Sequence, residues 1–151
     1  MKAVIQRVAN ASVCVDGSNI SNIEKGFLVL LGVHNTDTVE EAKLLAAKTA
    51  NLRIFSDEND KMNKSVLDIG GEILVISNFT LCADTKKGNR PSFIEAMEPK
   101  IADKLYNLYC EELKANGVKK VGRGVFGADM KVSLLNDGPV TIVLDTDTWR
   151  K

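Results

Sequence analysis

The sequence predicts an α+β domain of largely antiparallel sheet, curled toward a barrel, with two main helices. β-rich stretches stand at both ends of the chain, two helical patterns lie between them, and no linker-like segment interrupts the whole. At 151 residues, with 44% hydrophobic and 26% charged side chains, residues 1–151 read as one domain around one core.

The elements follow in chain order. Residues 3–8 and 12–15 are short β-rich runs, Asp16-Gly17 is a turn signal, and residues 20–23 return as the next strand, so the chain opens as a β-meander. Residues 27–33 (FLVLLGV) are continuously apolar and short, the pattern of a strand buried on both faces at a sheet centre. Thr38-Val39-Glu40-Glu41 fits a capping box, starting a helix that runs to about Asn51. Val39, Ala42, Leu45 and Ala46 share its apolar face, with Lys43 and Lys48 outside. A polar turn region around residues 57–61 follows, and then residues 72–77 form a Val/Ile-rich strand preceded by Gly70-Gly71. The second helix is expected from about Pro99 to Asn116. Pro99 suits a first-turn position, Ile101, Leu105, Leu108 and Leu113 share one face, and Asn116-Gly117 is a stop. Residues 129–135 and 140–144 are strands flanking Asn136-Asp137-Gly138-Pro139, a turn tetrapeptide that joins them.

Composition removes several function classes. Cys14, Cys82 and Cys110 are odd in number and form no C-x-x-C pair, so reduced thiols are expected rather than a disulfide framework or a zinc knuckle. His34 is the only histidine, which leaves no His-pair metal site within one subunit. No metal and no cofactor is expected. No run approaches the roughly 18 apolar residues of a membrane span, and the N-terminal apolar stretch is too short for a signal peptide, so a soluble, cytoplasmic protein is expected. Twenty Lys+Arg balance twenty Asp+Glu, so any nucleic-acid contact must be local. The local candidate is Lys86-Lys87-Gly88-Asn89-Arg90, a basic loop able to meet phosphates or simply a solvated surface.

Two segments carry candidate chemistry. Ser77-Asn78-Phe79-Thr80-Leu81-Cys82 combines hydroxyls, an amide, an aromatic ring and a thiol where a strand leaves the core. Its successive backbone amides suit an oxyanion and Phe79 suits a ring, although a strand end with hydrogen-bonded hydroxyls has the same composition. Gly138-Pro139 is a rigid turn able to present main-chain carbonyls, and an X-Pro bond is where a cis peptide is cheap, yet trans remains the base expectation. Cys82 has no basic neighbour nearer than Lys86 and Lys87 and reads as a packed thiol. His34 reads as a surface-turn residue, and Thr80 as a hydroxyl lacking the base a nucleophile needs.

Arg7-Val8, Ser77-Asn78-Phe79-Thr80-Leu81 with Ala83-Asp84-Thr85, Gly88-Asn89-Arg90-Pro91-Ser92-Phe93, Phe126-Gly127-Ala128-Asp129-Met130 and Asn136-Asp137-Gly138-Pro139-Val140-Thr141 together resemble the D-aminoacyl-tRNA deacylase family, in its order and across essentially the whole chain. The resemblance implies a homodimer that hydrolyses the ester of a tRNA 3′ end carrying a D-amino acid, with glycyl-tRNA as a side substrate. It implies a composite site, in which the Gly138-Pro139 turn, with a cis bond, enters the partner subunit beside the segment of Ser77, Asn78, Phe79 and Thr80. Main-chain oxygens of the turn then hold the α-amino group and exclude an L side chain. Arg7 is expected to brace the turn, and Phe79 and Met130 to hold the terminal adenosine. The sequence departs from the family at Asn78, where Gln is usual, so only a main-chain contact carries over there. The rival readings are a non-catalytic RNA 3′-end binding module using Phe79 and the basic loop, and a small-ester hydrolase with Thr80 or Cys82 as nucleophile.

Overall fold

A computed structural model describes residues 1–149. Eight strands and two α-helices follow in the order β1 (Lys2–Val15), β2 (Ser18–Ile23), β3 (Gly26–Gly32), α1 (Val39–Asn51), β4 (Phe55–Ser56), β5 (Met62–Lys64), β6 (Glu72–Ser77), α2 (Pro99–Ala115), β7 (Val121–Arg123) and β8 (Lys131–Asp145). Single 3₁₀ turns lie at Phe79–Cys82 and Thr146–Trp149.

The predicted α+β, barrel-like class is what the chain adopts, with one refinement. The main sheet runs β2-β1-β3-β6-β7, and β8 lies along the other edge of β1. All β1 pairings are antiparallel, but β3–β6 and β6–β7 are parallel, made possible by the helical crossovers between them. The continuous apolar run becomes β3, at the sheet centre as expected, and it is covered on both faces. Phe27, Val29 and Leu31 face the helices, whereas Leu28 lies in a second core with Val8, Val13, Leu74 and Ile76. That second core exists because β1 bends, carrying β2 over toward β6 and β7.

Three local expectations are corrected. Residues 3–8 and 12–15 form one fourteen-residue strand, since irregular pairings near Arg7 and Ala9 absorb the break in alternation. Asn136-Asp137-Gly138-Pro139 does not join two separate strands as a hairpin would. It is a bulge within the single strand β8: Gln6 faces Thr141 and Val8 faces Asn136, so β8 spends three extra residues there. The helix faces also shift. Val39 and Ile101 are exposed, and helix–helix packing is carried by Ala42, Leu45, Ala46, Thr49 and Ala50 against Ala102, Leu105, Tyr106, Tyr109, Cys110 and Leu113. The Tyr109 hydroxyl, wholly buried, donates to Thr49 Oγ1 at 2.9 Å, a polar pair that a purely apolar template does not reveal. The capping box at Thr38 and Glu41 is present, as are the Pro99 start and the Asn116 cap of α2. Among the described residues no helix is long and apolar enough to cross a membrane.

Candidate active site

β6 ends at Ser77 because the chain turns immediately into the Phe79–Cys82 turn. The Asn78 amide donates to Leu31 O at 2.8 Å, and the Leu81 amide to Asn78 O, which pins this turn to the end of β3. The first amides of a helical turn have no acceptor within it, and no side chain caps this one. The Asn78 carboxamide is engaged elsewhere, because its Oδ1 accepts the Thr80 hydroxyl.

Two clefts meet at this turn. One, of about 330 Å³, is lined by Ser77, Asn78, Phe79, Phe126, Met130 and Leu30, among others. The other, of about 420 Å³ and more apolar, lies between the turn and the start of α2, with Phe93, Met97 and Pro99 in its wall. Phe79 stands between them, 57% exposed, with its ring edge-on to Phe93 at 5.1 Å. Met130 reaches the first cleft because Gly124 has no side chain: a Cβ there would lie 2.5 Å from Met130 Sδ.

Acid–base groups are scarce around these clefts. Asp129 sits at the rim of the first, largely exposed and paired with Lys131 at 3.3 Å. In the second, the Glu98 carboxylate accepts the Lys100 amide at the helix start. Cys82 is buried behind the turn, and desolvation pushes its thiol up to about 11, so it is protonated at neutral pH and a poor nucleophile. His34 lines neither cleft; its bridge to Ala96 and its backbone amide bond to Asp37 Oδ2 make it a half-buried structural residue.

The β8 bulge forms the other part. Asn136 closes it, since its Oδ1 accepts the Val140 amide at 3.0 Å and its amide group donates to Thr141 Oγ1. Arg7 grips it from β1, donating through Nε to Asp137 O at 2.9 Å and through Nη1 to Ile54 O at 2.7 Å. The Gly138-Pro139 bond is cis, and Asp137, Gly138 and Pro139 are exposed. Gly138 has φ +151°, and a Cβ there would lie 2.7 Å from Val140 N.

Within one chain these two parts stay apart. Arg7, beside the bulge, pairs with Phe27, whereas Ser77 pairs with Leu31, whose partner on β1 is Ala3. Four residues along β1 and three strand spacings separate them, roughly 19 Å. Ser77, Asn78, Phe79, Thr80 and Met130 therefore cluster, and Arg7, Gly138 and Pro139 form a second group. Phe93, Phe126 and Leu30, not singled out from sequence, also line the clefts. The first two lie inside the quoted motifs, which was their available signal. The Ile54 carbonyl that holds Arg7 has no sequence signature at all.

A family model described as D-Tyr-tRNA(Tyr) deacylase matches residues 4–145. The chain is 56% identical over 146 residues to a D-aminoacyl-tRNA deacylase of Phocaeicola vulgatus, covering 97% of each. It is 57% identical over 151 residues to one of Roseiflexus castenholzii, covering 100% of this chain and 96% of that one. Among solved structures it superposes on a c-Myc DNA unwinding element binding protein at TM-score 0.90 and 47% identity, over 96% of this chain and 98% of the other. A probable eukaryotic D-amino acid tRNA deacylase shares the fold at TM-score 0.81 and 16% identity, over 95% and 97%.

Proposed function

The chain belongs to the D-Tyr-tRNA(Tyr) deacylase family, and on that premise we propose that it hydrolyses the ester linking a D-amino acid to the 3′ end of tRNA. It acts on that substrate in the cytoplasm as a homodimer, and it discriminates chirality by main-chain contacts. The observation that carries this reading is the pairing of an uncapped backbone turn with an aromatic ring in a cleft short of acids and bases.

Such a site suits an ester already activated by its ribose. The amides of Phe79 and Thr80 stabilise the developing oxyanion, Phe79 and Met130 hold the terminal adenosine, and the neighbouring 2′-hydroxyl of the RNA assists the attacking water or the leaving oxygen. Asn78 contributes through its backbone, because its side chain is turned onto Thr80.

Two features support a composite site across a dimer. The outer edge of β8 is free among the described residues, and its Leu135 and Val143, 58% and 62% exposed, put apolar side chains on the outward face of that edge strand, a surface of the kind that a second copy covers. The bulge also lies too far from its own chain's turn to act on the same ligand. In the dimer its carbonyls take the substrate α-amino group and leave no room for an L side chain, while glycine, having none, is accepted. A deacylation assay with matched D-, L- and glycyl-tRNA tests this: fast release from the D and glycyl forms only is expected, and equal cleavage of D and L forms would falsify it.

The Gly138→Ala variant tests the composite site. The added Cβ collides with the Val140 backbone at a φ that L residues avoid, so the carbonyls move and activity falls by at least about tenfold, the cost of one good polar contact in a transition state. Phe79→Ala weakens the other half. Mixed dimers of the two variants should regain activity, since one of their two sites is intact. Mixtures no more active than either parent would show that each site lies within one subunit.

A further inference from the structure

The basic loop joins neither cleft, yet it stands at their edge. Residues 84–92 form a closed excursion whose base is held by two backbone bonds, Asp84 N to Ser92 O at 2.8 Å and Ser92 N to Asp84 O at 2.9 Å. Asp84 Oδ1 also accepts the Lys86 amide at 2.9 Å, and Gly88 at φ +65° turns the tip. The loop encloses a cleft of about 280 Å³ lined by Asp84, Lys86, Lys87, Arg90 and Ser92. The next residue, Phe93, is the ring packed edge-on to Phe79, so the segment that lines the basic cleft runs directly into the wall of the candidate site.

The charge is unusual in its placement. In a chain of zero net charge, three cations fall within residues 86–90, all exposed, and among the described residues none of the three makes an ion pair or a side-chain hydrogen bond. Single exposed lysines without an ion pair, such as Lys43, Lys61 and Lys119, also occur elsewhere among the described residues; what sets this loop apart is that three cations line or border one cleft. Three unpaired cations on a braced, concave loop are arranged for a multiply charged anion.

We propose that this loop binds the phosphodiester backbone of the RNA strand leading into the site, taking phosphates just upstream of the terminal adenosine. The proposal rests on the deacylase reading, and deepens it by assigning the RNA contact. It makes the loop a binding surface that reads charge rather than sequence, with the ester placed by the clefts and the strand held by Lys86, Lys87 and Arg90.

The test compares wild type with a K86A/K87A/R90A variant on two substrates, D-tyrosyl-tRNA and the D-tyrosyl ester of adenosine, which has no phosphate. Loss of three phosphate contacts flattens the slope of log kcat/KM against log salt by about two to three units on the tRNA. Between 50 and 200 mM salt, wild type should therefore lose roughly 15- to 60-fold more activity than the variant does. Cleavage of the adenosine ester should be the same for both proteins. An unchanged salt slope overturns the proposal, and so does equal loss on both substrates, which would mean that the loop only supports the site. If wild type releases D-tyrosine from neither substrate, the deacylase reading itself fails and takes this assignment with it. If only the tRNA is cleaved, the salt slope alone decides.

Discussion

A D-aminoacyl-tRNA whose terminal adenosine lacks the 2′-hydroxyl should be cleaved about 10²- to 10³-fold more slowly than its ribose counterpart, the usual cost of losing one positioned transition-state donor. The reason lies in what the clefts do not offer. The Thr80 hydroxyl spends its proton on Asn78, among the described residues no base stands beside it, and the Cys82 thiol is buried with its pKa up at about 11. Asp129 at the rim is solvated and paired with Lys131. On the proposed mechanism the ribose hydroxyl carries the proton from the attacking water to the departing oxygen. The companion expectation is that Thr80→Ala and Cys82→Ala each retain clear activity in single-turnover assays. Equal rates on the deoxy and ribose substrates would remove the RNA from the mechanism. An aminoacyl adduct trapped on Thr80 would replace it with covalent catalysis while leaving the substrate class intact.

The largest stability effect is expected at a residue far from the chemistry. Asp37 is buried, with Oδ1 accepting the Met1 ammonium at 2.6 Å and Oδ2 accepting the His34 amide at 2.7 Å. The same ammonium donates to Thr146 Oγ1 at 2.7 Å, so one buried charge pair ties the start of β1 to the β3–α1 connection and the C-terminal turn. Asp37→Ala leaves a buried cation uncompensated and should cost about 3–5 kcal/mol, a large share of the roughly 5–15 kcal/mol that holds a domain together. Urea denaturation reads this as a lower midpoint with an unchanged slope. Asp37→Asn keeps one acceptor oxygen but turns an NH2 donor toward either the Met1 ammonium or the His34 amide, so it should also lower the midpoint. A midpoint for the Ala variant equal to wild type would show that the pair contributes nothing net. The corner also carries the site, because Asn35 N donates to Glu95 O and Met97 N to Val33 O, fastening the wall of the apolar cleft. Activity of the variant should thus decay at lower temperature than that of wild type.

Much of the fold was legible from short-range patterns. The box at Thr38 and Glu41, the Pro99 start, the Asp16-Gly17 turn and the apolar run of β3 each act within a few residues, and each appears where the pattern puts it. The candidate site was legible through Ser77, Asn78, Phe79 and Thr80, where small polar side chains interrupt a strand. Helix faces were less so: Val39 and Ile101 fit the apolar period, but both lie in the first turns of their helices and are exposed.

By itself the sequence determined the class of the fold, the ends of its helices, the family, and the poverty of acids and bases on which the proposed mechanism rests. Only the tertiary structure decided that residues 136–139 form a bulge rather than a hairpin. Two β runs around a turn look alike in both cases, and the choice depends on whether each run pairs with the other or with a third strand. Here β1 offers an unbroken fourteen-residue edge, so both runs extend along it and the intervening residues are pushed out toward Arg7. The parallel pairing of β3 with β6, the carbonyl partners of Arg7 and the roughly 19 Å gap between the β8 bulge and the Ser77 turn were set in the same way. Main-chain groups look identical at every position, and distances across a sheet depend on register, which appears only when the strands meet.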